Sequence, residues 1–261
     1  MTTTCRIISE DLDSALIMED DMDWDVRLKW QLEQIAKGAR KIPKTAKDTP
    51  RNTKNPNSPY GDDWDLLWLG HCGEIFPEDT DEAKDSLDPA MVEKLRGSKY
   101  TILEDPTVPP PQDTTGFQDF AAHPYTRWVH VTGAPICTFA YALSRQGARK
   151  VLFGLSVDGL HGAFDNELAA LCRRAVGNYS GDHNILEENG NNDYGLNSKC
   201  VSVTPPVFFH HKAKGHVSGD SDIQSVAEDQ TREKGTTENI VWSARNNLKN
   251  MILNRPMESQ F

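Results

Sequence analysis

The sequence has few cysteines and no long apolar run. Five cysteines occur among 261 residues and none forms a C-x-x-C pair, which excludes a zinc ribbon or a thioredoxin-type redox motif. No stretch reaches the roughly 18 apolar residues of a membrane-spanning helix, so no transmembrane segment is predicted. The first residues also lack the apolar run that a signal peptide requires.

Basic residues are scarce relative to acidic ones. The chain has 28 Lys and Arg against 39 Asp and Glu, a formal net charge of -11. A surface of that sign repels phosphate backbones and anionic lipid, so neither nucleic acid nor an anionic membrane is expected as the main partner. A small anionic ligand held through a metal ion remains compatible, because the cation supplies the positive charge.

An acidic cluster directly follows a short apolar run. Residues 14–18 read as a buried strand, and five acids follow within seven positions: Glu19, Asp20, Asp21, Asp23 and Asp25. Other apolar runs alternate with helical segments, which predicts an α/β fold with a mixed, mostly parallel sheet between helices. Ligands in such sheets bind outside the carboxyl ends of the strands, where this cluster lies.

The other elements are predicted from apolar periodicity, capping residues and breakers. Strands are expected at 64–70 and 200–209, and in two stretches within 125–144. Helices are expected from Asp23 or Trp24 to Lys37, from the Ser144 cap to Phe153, and from Asp165 to Ala175. Residues 38–60 read as a basic surface loop. Residues 77–120 read as irregular apart from Pro89–Leu95, and residues 218–261 as a polar, flexible tail after a domain spanning 1–217.

Clustered carboxylates suit a divalent cation, and three known arrangements apply. An EF-hand loop starting at Asp21 would need Gly at its sixth position and Glu at its twelfth; Val26 and Leu32 stand there, which excludes it. A phosphatase of the haloacid-dehalogenase type has Thr or Val two residues after its D-x-D pair. That position holds Asp25 if the pair begins at Asp21 and Arg27 if it begins at Asp23, so this class is a weaker alternative. Metal-dependent glycosyltransferases use acids one residue apart, as in Glu19 and Asp21. A solvated acidic loop remains open too.

Four segments occur in the order "ALIMEDDMDWD", "WDLLWLGH", "CTFAYALSRQGARKVL" and "AFDNEL". This ordered set resembles glycosyltransferase family 25, which includes collagen β-galactosyltransferases and bacterial lipooligosaccharide galactosyltransferases, and it is most similar to the fungal branch. The resemblance covers residues 14–222, and the loops 38–60 and 77–120 match poorly.

The resemblance implies a GT-A-like nucleotide-diphospho-sugar transferase fold and inverting transfer of a hexose, galactose above all. The donor would be a UDP-sugar, the acceptor a protein or glycan hydroxyl, and the cofactor Mn²⁺ or another divalent cation. A carboxylate base would take the acceptor proton while the cation neutralises the leaving diphosphate. The implied cation ligands are Glu19, Asp21 and a late histidine, His211; the implied donor-binding residues are Asp20, Asp220 and Asp222; the implied base is Asp165, with Glu167 as its substitute.

The start of the chain departs from the family. Only 13 residues precede Ser14, whereas the resemblance implies nucleotide-binding strands and helices before the acidic strand. We therefore expect an N-terminally truncated member whose sheet exposes unpaired edge groups and apolar surface. The alternative to an enzyme is a non-catalytic remnant or interaction domain. The family location would be the ER or Golgi lumen if a longer form carries a signal anchor, and otherwise the cytoplasm.

Overall fold

The structure is a computed structural model that describes residues 2–42, 58–157, 159, 161–176, 196–217 and 230–261. The strands are β1 (Ser14–Met18), β2 (Met22–Trp24), β3 (Leu66–Gly70), β4 (Gly73–Ile75), β5 (Tyr100–Ile102), β6 (Arg127–Val131), β7 (Ala134–Ile136), β8 (Ala140–Ser144), β9 (Cys200–Thr204), β10 (Phe208–Lys212), β11 (Gly215–His216), β12 (Thr231–Arg232) and β13 (Thr236–Thr237). The α-helices are α1 (Thr2–Ser9), α2 (Leu28–Ala39), α3 (Asp81–Ser86), α4 (Pro89–Gly97), α5 (Arg145–Leu152), α6 (Phe164–Arg174) and α7 (Ala244–Ile252).

The main sheet has six strands in the order β1-β8-β3-β9-β6-β5. Only β3 and β9 pair in parallel; β1–β8, β8–β3, β9–β6 and β6–β5 are antiparallel. The α/β class is therefore confirmed, and the prediction of a mostly parallel sheet is wrong. A continuous apolar strand indicates burial on both faces, but it does not indicate the direction of its neighbours.

The sheet is covered on both faces, and alternation along β3 shows why its sequence is continuously apolar. Leu67 and Leu69 belong to the core cluster beneath α2, while Leu66 and Trp68 belong to the cluster beneath α1, α5 and α6. All four side chains are buried. Each buried side chain of this size stabilises the fold by about 1.5–3 kcal/mol.

Two of the three predicted helices are confirmed closely. The Ser144 hydroxyl accepts a hydrogen bond from the Gly147 amide at 3.0 Å and caps α5, as Ser at this position predicts. Helix α6 begins one residue before Asp165. Helix α2 begins only at Leu28, because residues 22–24 pair with β10 as a strand instead.

Strand β1 differs from its prediction in position. It forms the edge of the sheet, and Leu16 and Met18 are 44% and 41% exposed. An apolar run of five residues therefore does not distinguish a central strand from an edge strand. None of the helices in the described ranges combines the length and apolarity needed to cross a bilayer.

Residues 230–261 are folded, in contrast to the flexible tail expected from their polarity. They supply β12, β13 and α7, and β13 joins β10 and β2 in a three-stranded sheet. Ile240 and Asn247 are fully buried there. Polar side chains hold this segment through hydrogen bonds to the chain's beginning, and composition does not reveal such partners. Of the basic loop 38–60, residues 43–57 lie outside the described residues.

Four of the five cysteines form two disulfides. Cys72 pairs with Cys137, and Cys172 pairs with Cys200, while Cys5 is free. The first bridge ties the loop after β3 to the segment between β7 and β8. The second ties α6 to β9, which fixes α6 against the sheet.

Candidate functional site

The acidic turn Glu19–Asp21 lies at one edge of the main sheet. Strands β1, β3 and β9 run in the same direction, because β8 pairs antiparallel with both β1 and β3, and β9 pairs parallel with β3. Their carboxyl ends, at Met18, Gly70 and Thr204, therefore share this edge. The turn thus lies beside the ends of the two central strands β3 and β9, which pair in parallel.

Three hydrogen bonds to its backbone hold the turn in place. The Glu19 amide donates to the Phe139 carbonyl at 3.1 Å. The Asp20 carbonyl accepts from Arg245 Nη2 at 2.6 Å, and the Asp21 carbonyl accepts from the His211 amide at 3.0 Å. The backbone is therefore fixed by three separate parts of the chain, and the acidic side chains are left to face outward.

Carboxylates of distant segments converge on Glu19. Burial, followed by the charge of Asp21, raises the pKa of the Glu19 carboxyl above its ordinary value, and the charge of Asp165 adds to the rise. The Thr138 hydroxyl, 3.5 Å from Glu19 Oε1, works in the opposite direction. Glu19 contacts Thr138 and Phe139, and Asp165 contacts the adjacent Cys137, so both acids border residues 137–139 although they lie far apart in the sequence.

Asp21 has one paired and one unpaired oxygen. Its Oδ2 lies 2.9 Å from His210 Nε2. Its Oδ1 is shielded from solvent and has no hydrogen-bond partner among the described residues. A buried acceptor without a partner is costly, and a bound cation would satisfy it.

Asp165 lies in the first turn of α6 and is oriented from outside that helix. Its Oδ2 accepts the Cys137 amide at 3.2 Å, and its Oδ1 accepts the Asn166 amide at 2.9 Å. Cys137 is itself held by its disulfide to Cys72 and by Trp68 Nε1, which donates to its carbonyl at 3.2 Å. Asp165 is thus held against residue 137, two residues from Phe139, whose carbonyl accepts the Glu19 amide.

Glu167 is not brought to the turn by any described contact. It lies two residues beyond Asp165 on the same helix, and residues at that spacing point to different sides. Its Oε1 borders Gly162 instead. Its role as a substitute base therefore gains no geometric support.

Of the two adjacent histidines, His210 and not the expected His211 faces the turn. Neighbouring residues of β10 point to opposite sides of the strand. His211 Nδ1 lies 2.8 Å from Thr237 Oγ1 and 3.6 Å from Asp23 Oδ2. Burial holds the pKa of His211 below its ordinary value, and the ring serves the packing of the C-terminal segment.

The acidic cluster divides into outward and inward parts. Asp23 and Asp25 are fully buried. Asp23 accepts from the hydroxyls of Thr237 and Ser243 and from the Arg245 amide. Asp25 accepts from the amides of Arg27 and Trp242 at 2.8 and 3.0 Å. These two acids therefore anchor the C-terminal segment and are unavailable to a ligand.

The remaining donor-binding candidates are Asp20, Asp220 and Asp222. The Asp20 side chain is exposed beside the turn, whereas Asp220 and Asp222 lie outside the described residues. Within the described ranges, no three His, Cys, Asp or Glu side chains are grouped so that they could hold one metal ion. Two carboxylates still fit Mg²⁺ or Mn²⁺, which commonly take one or two from the protein and complete their shell with water and substrate phosphates.

A second titratable cluster is buried beneath this edge and was not foreseen. His71 Nε2 and His130 Nε2 lie 3.7 and 3.9 Å from Glu74 Oε2. Burial raises the pKa of Glu74 to about 8 and lowers the pKa of His71 and His130 to about 4 and about 3. His71 and His130 are therefore buried and uncharged, and the sequence signal for this cluster was a histidine within the apolar run "RWVHV".

Three tryptophans are core residues and leave no ring exposed for stacking on a sugar. Trp64, Trp68 and Trp128 are 8%, 0% and 7% exposed. Tyr141 lies close enough to the turn to be affected by it: burial, together with the charge of Glu19, raises the pKa of Tyr141 to about 12. Its hydroxyl therefore stays protonated beside the acids.

Comparisons of the chain with protein-family models, with curated proteins and with solved structures return no match.

Proposed function

We propose that the chain is a divalent-metal-assisted, inverting glycosyltransferase that takes a hexose, galactose above all, from a UDP-sugar to a protein or glycan hydroxyl. One observation carries the proposal: Glu19 of the acidic turn and Asp165 of α6 both contact residues 137–139, at the edge where β1, β3 and β9 end. Acids for a cation and a separate acid for proton transfer are the groups that this reaction needs.

Glu19 and Asp21 would hold the cation, and Asp20 would contact the donor beside it. Asp21 Oδ1 is the unpaired buried acceptor that supports this assignment. The bound cation supplies Lewis-acid stabilisation of the leaving diphosphate. It would also relieve the repulsion that now raises the pKa of Glu19. Asp220 and Asp222 remain further candidates from the resemblance.

Asp165 would take the proton from the acceptor hydroxyl. The Cys137 and Asn166 amides orient its two oxygens. The first turn of α6 also favours a negative charge, because the helix dipole presents its positive end there. A carboxylate held from both sides in this way is prepared to accept a proton at a defined position.

The buried state of Asp23 argues against the phosphatase alternative. A D-x-D phosphatase needs both acids at the substrate, yet Asp23 is fully buried and hydrogen-bonded to Thr237 and Ser243. The non-catalytic alternative is favoured by a different observation, the exposed edge strand β1. Nucleotide binding distinguishes that alternative from the enzyme.

The two disulfides support a location in the secretory pathway. Disulfides form and persist in oxidising compartments such as the ER lumen and are rare in the cytosol. Cys72–Cys137 lies directly beside Asp165. We therefore favour the ER or Golgi lumen over the cytoplasm for the active protein.

Calorimetric titration tests the proposal. UDP and UDP-galactose are titrated with and without Mn²⁺ into the wild-type chain, into Asp21→Asn and into the control Glu93→Gln, which changes an exposed acid of α4. We expect Mn²⁺-dependent binding that weakens at least about tenfold in Asp21→Asn and is unchanged in the control. A folded wild-type chain that binds neither nucleotide with Mn²⁺ would show a non-catalytic domain.

A further inference from the structure

The outer edge of β1 carries unpaired backbone groups. The Arg145 amide donates to the Asp13 carbonyl and the Glu19 amide to the Phe139 carbonyl. Together with the antiparallel register, these bonds place the odd-numbered residues of β1 in hydrogen-bonded pairs with β8. The amides and carbonyls of Ser14, Leu16 and Met18 therefore point away from the sheet, and no described residue pairs with them.

The same edge exposes apolar side chains on one face. Leu16 and Met18 are 44% and 41% exposed, whereas Ala15 and Ile17 pack against the core on the opposite face. Leu16 pairs with Ala142, and Ala142 packs against the core cluster on the α2 side of the sheet. The edge thus combines hydrogen-bonding capacity with apolar surface, and exposed edges of this kind attract a further strand.

Negative charge flanks the edge at both ends. Asp11 and Asp13 precede β1 and share one cation, Arg145, at 2.7 and 2.9 Å. The turn Glu19–Asp21 follows it. Antiparallel pairing with a second copy, centred on Leu16, would place Asp13 opposite Glu19 twice. Like charges directly opposite destabilise a strand pair, so the edge favours a basic partner over its own copy.

We propose that β1 binds an extended segment of another protein that has apolar side chains at alternate positions and Lys or Arg at its ends. The segment adds to the sheet by backbone hydrogen bonds, its apolar side chains cover Leu16 and Met18, and its cations meet the flanking acids. This docking surface does not require the proposed transferase function, although one of its acidic flanks is the turn Glu19–Asp21 that the proposed function assigns to the cation.

The test uses two fluorescent peptides, Lys-Lys-Val-Ser-Val-Ser-Val-Lys-Lys and its counterpart with Glu in place of every Lys, titrated with the full chain by anisotropy. Leu16→Pro removes only an outward amide and spares the pairing with β8, as edge positions allow. Leu16→Ala keeps the amide, and Leu103→Ala changes an exposed leucine elsewhere. Amide hydrogen exchange of Leu16 and Met18 provides a readout on the wild-type chain, should Leu16→Pro fail to fold.

We expect the Lys peptide to bind at least about tenfold more tightly than the Glu peptide in low salt, with the difference shrinking in about 0.5 M salt. Leu16→Pro should weaken binding about tenfold, Leu16→Ala less, and Leu103→Ala not at all, and bound peptide should slow exchange at Leu16 and Met18. Equal binding of both peptides, equal binding by Leu16→Pro, or unchanged exchange overturns the proposal. A dimer in sedimentation that Leu16→Pro abolishes would identify a second copy as the occupant and also overturn it.

Discussion

At the scale of single residues, Glu74 is a carboxyl group held in surroundings far less polar than water. It is fully buried, its Oε1 accepts the Gly133 amide at 2.7 Å, and its Oε2 has no hydrogen-bond partner among the described residues. Two neutral histidines, His71 and His130, face it. Each of the three side chains avoids its charged form, because ions are poorly solvated in a dry interior.

The Glu74 cluster predicts a pH dependence of stability. Burial raises the pKa of Glu74 from 4.5 to about 8, so the stability it contributes is full below pH 4.5 and is lost as the pH rises toward 8. The pKa values of His71 and His130 are lowered from 6.5, so these groups lose stability as the pH falls below 6.5. Of these three groups, only Glu74 therefore changes the unfolding free energy between pH 6.5 and 8.

In that window, the wild-type chain should lose about 1.4 kcal/mol of unfolding free energy per pH unit relative to Glu74→Gln. Urea unfolding at several pH values measures both slopes. The exposed change Glu93→Gln is the control and should follow the wild type. Parallel curves for the wild type and Glu74→Gln would contradict the assigned protonation.

At the scale of elements, Asp23 connects the beginning of the chain to its C-terminal segment. It lies on β2 and accepts from Thr237 of β13, from Ser243 before α7 and from the first turn of α7. Ser243 also caps that helix by accepting the Asn246 amide at 3.0 Å. One buried carboxylate therefore satisfies donors of two elements that the sequence separates widely from it.

Replacing Asp23 should accordingly destabilise the fold strongly. Asp23→Ala leaves several buried donors unpaired and should cost about 3 kcal/mol or more. Asp20→Ala, a matched change three residues earlier with an exposed side chain, should stay within about 0.5 kcal/mol. Urea unfolding compares the two. Similar losses for both variants would show that Asp23 is no anchor.

At the scale of the whole molecule, acids outnumber basic residues and several lie at one edge of the main sheet. The chain has a net charge of -11, and the charges of Asp21 and Asp165 both act on Glu19 at the end of β1. A folded state that gathers repelling charges gains stability from any cation that binds them, because the unfolded chain separates those charges.

Divalent cations should therefore stabilise the folded chain. Mn²⁺ at about 100 times its Kd should add about 2.7 kcal/mol to the unfolding free energy, and a chelator should remove that gain. The double variant Glu19→Gln with Asp21→Asn should show no gain, whereas Glu93→Gln should respond like the wild type. Scanning calorimetry with Mn²⁺ or EDTA measures the effect. An equal gain in the double variant would place the cation elsewhere.

The sequence by itself determined the local features of this protein. It predicted the strand before the acids, the Ser144 cap and the helix around Asp165, because periodicity and capping act over a few residues. It also placed acids directly after a strand, and their role in binding a ligand stays a prediction. Its reading of residues 230–261 as part of a tail was misled by polar composition, since polarity does not reveal buried hydrogen-bond partners; residues 218–229 lie outside the described residues.

Only the tertiary structure decided which of those residues face the site. The direction of β8, the edge position of β1, and the choice of His210 over His211 all depend on strands that pair across long stretches of chain. The division of the acids has the same origin: Asp23 turns inward because Ser243, 220 residues away, meets it there. Local sequence carries no record of such contacts, and they decide which carboxylates stay exposed and which hold the fold together.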